Sequence, residues 1–183
     1  MRIPFVKTFA RRDDGSLSVE AVLILPILVW AITATLVMWD AFKTLNISQK
    51  ATYTVADMIS REEVEISENY LTSVLEIYGF LANSDGDNAL RVSVVTLVED
   101  EDTLEQSLEL LCSRGLGGID DYNTISEIED RIPTLVPGDQ IIVVESEQEW
   151  SPAFAVGLAS YRFREVALAR PRFAPQVTLE ACA

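Results

Sequence analysis

The stretch Gly15-Ser16-Leu17-Ser18-Val19-Glu20, followed by AVLILPILVWAITATLVMW from Ala21 to Trp39, decides how this chain is built. The run from Ala21 to Trp39 is 19 residues long and carries no charge. At ~1.5 Å per helical residue it covers ~28 Å, about one bilayer core. A carboxylate at the rim of such a run is costly without a partner. The sequence therefore predicts a membrane-anchoring helix with one acid, Glu20, placed where an acid needs a reason.

Working outward, charge separates the two ends. The chain of 183 residues has a net charge of −15. Residues 1–12 hold Arg2, Lys7, Arg11 and Arg12 with no acid, a net of +4, and the rest of the chain is −19. The positive-inside rule puts the N-terminus in the cytoplasm and everything after Trp39 outside. A domain this acidic excludes nucleic-acid binding, which needs clusters of Lys and Arg. There is no histidine, which removes the commonest general base and metal ligand. Neither a closed zinc site nor a phosphate-cradling glycine pattern is present; Gly115-Leu116-Gly117-Gly118 reads as a flexible loop. No enzyme, cofactor or metal is expected.

Three readings compete for the first forty residues. A cleaved secretory signal has a shorter apolar core than this one. A plain signal anchor fits length and charge but leaves Glu20 and Gly15 unexplained. A prepilin-type leader, cut between Gly15 and Ser16, would leave an apolar helix with Glu20 fifth in the mature chain.

These residues resemble a known family. A basic leader, Gly15, Glu20 five places on and a long apolar helix look like the prepilin class of the type IV pilus superfamily. Gly15-Ser16-x-x-Val19-Glu20-Ala21, with apolar residues to Pro26, is similar to the TadE-like proteins of the Tad (tight adherence) pilus system. Gly138-Asp139 before an apolar strand, Trp150-Ser151-Pro152 and Arg170-Pro171-Arg172-Phe173 extend the likeness. Ala21 stands where the small major pilins of this system carry an aromatic, and the chain is longer than such a pilin. The resemblance implies a minor pilin or pseudopilin of a bacterial inner membrane, single-pass, with its C-terminal domain periplasmic or carried into a surface pilus. It also implies its partners: the bilayer, a prepilin peptidase, other pilin or pseudopilin subunits and the inner-membrane pilus assembly platform. Glu20 would attract a neighbouring subunit's N-terminal ammonium. Opposite charges ~4 Å apart attract by ~4 kcal/mol at an effective dielectric of about 20. The alternatives are a Glu20 favoured only by the helix macrodipole, and an uncleaved single-pass envelope scaffold for pilus assembly or secretion.

The boundaries read as a leader over 1–15, a transmembrane helix over 16–39, an amphipathic continuation over 40–66 and an exported acidic α+β domain over 67–183. Pro26 should kink or loosen the first helix. Ile47, Ala51, Val55, Met58 and Ile59 recur at helical spacing opposite Asn46, Lys50 and Asp57. Ser67 is the N-cap of a second helix, with Ile66 and Leu71 as its staple and Leu71, Val74, Leu75, Tyr78 and Ala82 on one face. Asn83–Asn88 is a turn that lacks the closing acid of a calcium loop. Leu90, Val92 and Val94 alternate with Arg91 and Ser93 as in a half-buried strand. Leu108–Cys112 is strand or helical turn. Thr124 and Glu127 form a capping box for a short helix carrying Ile125, Ile128 and Ile132. Ile141–Val144 is a strand buried on both faces, and Tyr161–Leu168 is the last strand. The expected architecture is α+β, a long N-terminal helix followed by a pilin-like domain with a small antiparallel sheet and short helices. Cys112 and Cys182 lie in the part expected to be exported, where a disulfide is permitted. Joined, they close a loop of about 70 residues, worth ~4 kcal/mol in the chain-entropy model; the alternative is two free thiols.

Overall fold

A computed structural model describes residues 16–84, 87–100 and 104–182. These fall into two compact units. One holds the described part of Met1–Asp40 with Pro152–Leu158; the other comprises the described parts of Ala41–Ser151 and Ala159–Ala183.

Helix α1 runs unbroken from Ser16 to Ile59, 44 residues, and continues through Pro26. Leu, Ile, Ala and Val dominate it, and its hydroxyls do not compete with the backbone. Thr33 and Thr35 each donate to the carbonyl four residues back, Val29 and Ala31, at 2.8 Å, the usual outlet for a hydroxyl in an apolar helix. In the first unit the helix exposes most of its apolar side chains, among them Val22, Leu23, Ile27 and Trp30, with Val37 buried. In the second unit it is amphipathic: Ala51, Val55, Ala56 and Ile59 are buried, while Asn46 and Lys50 face solvent. The amphipathic continuation expected to reach residue 66 stops at Ile59. Glu62, Glu63 and Glu65 follow, and acids at a helix C-terminus oppose its dipole.

Helix α2 spans Glu68–Ala82. The Ser67 Oγ accepts from the Tyr70 N–H at 3.2 Å, and Ile66 and Leu71, the staple pair, are both buried. Asn83 closes the helix in the left-handed conformation, φ 50°. Its N–H donates to Phe80 O and the Ser84 N–H donates to Gly79 O, satisfying carbonyls the helix leaves open.

Four strands complete the second unit: β1 (Asn88–Glu99), β2 (Gln106–Leu116), β3 (Gln140–Trp150) and β4 (Tyr161–Ala169). They form one sheet in the order β2-β1-β3-β4, antiparallel throughout. The ambiguous Leu108–Cys112 lies within β2. Val94 pairs with Cys112 and Val95 with Leu110, so Leu111 is an extra residue, a β-bulge that turns its side chain outward.

One sheet face presents Leu90, Val92, Val94, Ile142, Val144 and Ala167 to the buried stripes of α1 and α2, with Val177 and Leu179 closing that core. The other face holds a second core, where Val95, Leu97, Ile141 and Val143 meet Ile128 and Leu135. Strand β1 is thus buried on both faces, not half-buried. Ser93 is fully buried and Arg91 nearly so, because the segment between β2 and β3 covers their face. That segment forms two 3-10 turns, Ile125–Glu127 and Glu129–Arg131, in place of the single short helix expected. The capping acid is real: Glu127 Oε1 accepts from the N–H groups of Asn123 and Thr124 at 3.0 and 3.2 Å. These bonds hold the Glu127 carboxyl below its ordinary pKa.

The glycine stretch is not a flexible loop. Gly115 lies inside β2, and a Cβ there would strike the Ile119 carbonyl. Gly117 has φ +72° and sits against the Asn88 carbonyl oxygen, so this tight exit from β2 requires glycine twice.

Candidate functional site

The residues singled out in the sequence lie at three places. Ser16 begins α1, whereas Gly15 and the leader lie outside the described residues. Glu20 is exposed on α1 one turn in from Ser16. Among the described residues it has no hydrogen-bond or ion-pair partner. Val19, Val22, Leu23 and Ile24 around it are all more than half exposed or at half. The helix is long and apolar enough to cross a membrane. Such an apolar surface, charged before Asp40 only at Glu20 among the described residues, is uncommon on a helix of a water-soluble protein.

The two cysteines come together. A disulfide joins Cys112 on β2 to Cys182, 70 residues later, with the Cα atoms 5.8 Å apart. It fastens the segment from Arg170 onward across the sheet. The Arg172 N–H donates to Ser60 O at 2.8 Å, the Ile66 N–H to Thr178 O at 2.9 Å and the Glu180 N–H to Ile66 O at 3.0 Å. The Val177 N–H donates to Gln140 Oε1 at 2.9 Å. Backbone bonds, two core side chains and a covalent link therefore act on one segment.

Two polar networks inside the second unit were not legible as groups. On the helix-facing side, Ser48 Oγ and Tyr78 OH lie 2.8 Å apart and Thr52 Oγ1 and Ser146 Oγ 2.6 Å apart. They satisfy one another between α1, α2 and β3. Burial pushes the Tyr78 hydroxyl up, and the nearby Glu165 carboxylate adds to this. Burial also pushes the Glu165 carboxyl up.

On the opposite face Glu145 is the hub. Its Oε2 accepts from Arg91 Nε at 2.8 Å and Arg91 Nη2 at 2.6 Å. Its Oε1 accepts from Tyr122 OH at 3.0 Å and from Arg131. Arg91 also donates to Asp120 O at 2.9 Å and lies 3.3 Å from the Tyr122 ring centroid, a stacked cation–π contact. Both oxygens of Glu145 are occupied by residues that pin the β2–β3 connection to the sheet. Its chemistry is that of a clamp, with no oxygen left for a substrate. In the sequence Glu145 is only the first of three alternating acids, with Glu147 and Glu149, after Ile141–Val144; its register opposite Arg91 comes from the sheet.

Among the described residues no group of three or more acids or cysteines is placed to hold a metal ion. The turn at Asn83–Asn88, considered for calcium, includes two residues outside the described ones. Trp150 is buried, and Phe163 lies 6.3 Å from it and 5.3 Å from Tyr161 between ring centroids.

No family model, curated protein or solved structure matches the chain.

Proposed function

We propose that the chain is a TadE-like minor pilin or pseudopilin that takes part in assembling a Tad (Flp-type) pilus, with α1 as its membrane and assembly helix. One observation carries the reading. A single helix is apolar and largely uncovered in its first half, then amphipathic and built into an α+β core in its second. A helix of this kind can be held by lipid before assembly and by neighbouring helices after it. Helices meet in apolar surroundings by packing and by polar contacts that exclude water. Glu20 is the one acid on the uncovered half before Asp40. Processing between Gly15 and Ser16 would create an ammonium at the helix start, and that group on an adjacent subunit would offset the cost of holding the carboxylate in an apolar bundle.

The N-terminal mass of the membrane-extracted protein, with and without its prepilin peptidase, tests this. A mature chain beginning at Ser16, and a Gly15→Ala variant that stays full length, support the proposal; a chain beginning at Met1 in both cases refutes the pilin mechanism. Asp13 and Asp14, which crowd Gly15 where a leader is otherwise basic, favour one other reading. This is an uncleaved envelope scaffold with the same topology, for which Glu20→Ala leaves pilus assembly unchanged.

A further inference from the structure

Every described arginine has an acidic partner. Arg61 and Arg172 meet Asp57, Arg91 and Arg131 meet Glu145, and Arg114 meets Glu68. Arg162 and Arg164 meet Glu147, and Arg170 meets Asp139. Lys43 and Lys50 are the two described bases with none, in a chain where acids outnumber bases 29 to 14. They lie seven residues apart on α1, two helical turns, and so share one face. Phe42, Asn46 and Tyr53 share it too, all exposed. The opposite face, with Ala51, Val55 and Ile59, is spent on the core. The outward stripe is thus two unpaired ammonium groups interleaved with two exposed rings.

The complementary surface is on the same chain. Glu63 and Glu65 are exposed in the connection from α1 to α2, with Val64 72% exposed between them. Neither carboxylate has a cationic partner among the described residues. They cannot reach the stripe of their own chain, since the helix from Lys50 to Ile59 alone places about 13 Å between them. A second, staggered copy can bring them there. We propose that the Phe42–Tyr53 stripe of α1 docks the Glu63-Val64-Glu65 segment of a second copy of this chain, with Lys43 and Lys50 paired to Glu63 and Glu65. The contact needs an axial stagger, so between parallel helices it repeats from copy to copy and does not close as a twofold dimer about an axis along them.

Anionic lipid headgroups are the other chemistry that lysines could meet. Lys43, four residues beyond Trp39 or about 6 Å along a helix, is within the headgroup layer, which is about 5–8 Å deep outside the hydrocarbon core; Lys50, eleven residues beyond Trp39 or about 16 Å, is past it. Headgroups can meet Lys43 but not the whole stripe, which favours protein. This inference goes beyond the proposed function and needs no processing at Gly15.

The test is zero-length carbodiimide cross-linking of the full chain, grown as separate ¹⁴N and ¹⁵N cultures, solubilised in detergent and mixed, so that no bilayer holds the two copies at one depth. Mixed-isotope peptides joining Lys43 or Lys50 to Glu63 or Glu65 are expected. The Lys43→Glu/Lys50→Glu variant should lower oligomer yield by at least about fivefold, and adding Glu63→Lys/Glu65→Lys should restore it, since two exposed pairs reverse sign together. All four side chains are exposed and unpaired, and an unchanged melting temperature checks that the variants fold. Absence of mixed-isotope peptides at these residues, or failure of the double reversal to restore yield, overturns the proposal. So does lysine protection that follows the anionic-lipid content of reconstituted vesicles. N-terminal mass is read on the same samples, so an unprocessed chain that still cross-links keeps this interface and loses only the pilin reading.

Discussion

Glu145→Gln is expected to cost more than any other single isosteric change in the second unit. The carboxylate is 7% exposed and its main partner, Arg91, is 11% exposed at the side chain. The amide keeps the volume, removes the countercharge, and turns one oxygen that accepts from Arg91 or from Tyr122 and Arg131 into a donor. Leaving a buried ion unpaired costs about 3–5 kcal/mol. Arg91 retains its bond to Asp120 O and its stack on Tyr122, which places the expectation at the low end, about 3 kcal/mol. At about 2–4 °C per kcal/mol for a domain of this size, the melting temperature should fall by about 6–12 °C. Arg131 contacts the same carboxylate but is 50% exposed, so Arg131→Ala should cost under about 1 kcal/mol. Replacing the pair, Arg91→Met with Glu145→Met, should return stability to within about 1 kcal/mol of the parent, because both desolvation costs vanish with the attraction. The assay is thermal unfolding of the detergent-solubilised chain, followed by near-ultraviolet circular dichroism. A loss below about 1 kcal/mol for Glu145→Gln, or equal losses for Glu145→Gln and Arg131→Ala, would refute the clamp.

Three further outcomes follow from the geometry. Cys112→Ser, or reduction of the parent, should remove about 4 kcal/mol by the chain-entropy model for a loop this long, seen as a drop in the urea midpoint that reductant does not deepen in the variant. Gly117→Ala meets both a positive φ and the Asn88 carbonyl, whereas Gly138→Ala at φ +83° meets open space; the first should lower the urea midpoint clearly more than the second. Glu165 carries a raised pKa in the folded state, so its contribution is fully present below the unfolded value of about 4.3 and is lost as pH rises through the folded pKa. Glu165→Gln should therefore raise the melting temperature at pH 7 and leave it nearly unchanged at pH 4, read from the difference between paired scans.

Local signals were legible where one element carries its own answer. Ser67 capped α2, and the apolar run Ile141–Val144 became the most buried part of β3. The last strand, read over Tyr161–Leu168, is β4, Tyr161–Ala169. Reading failed where the partner is remote in sequence. Arg91 and Ser93 alternate with valines as solvent-facing residues do, and nothing within β1 announces that Glu145, 54 residues on, neutralises the arginine. The cover over that face was legible only in part: Ile125, Ile128 and Ile132 share a helical spacing and all pack in this core, but nothing near them says which strand they cover, and Leu135 lies beyond Pro133 with no period to place it. Gly117 looked permissive because its constraint is the Asn88 backbone, 29 residues earlier in the chain. At the candidate site, the position of Glu20 on an apolar helix is legible from the sequence. Its partner is not, since nothing among the described residues of one chain supplies it.

The covalent link between Cys112 and Cys182 spans the surface connection between β2 and β3 and all of β3 and β4. A protease that nicks the backbone anywhere in that interval leaves two pieces still tethered to each other. Cut protein would migrate as a single species until a thiol reagent parts it, where an unlinked domain would shed half of itself. A nick in the β1–β2 hairpin falls outside the tether and has no such protection.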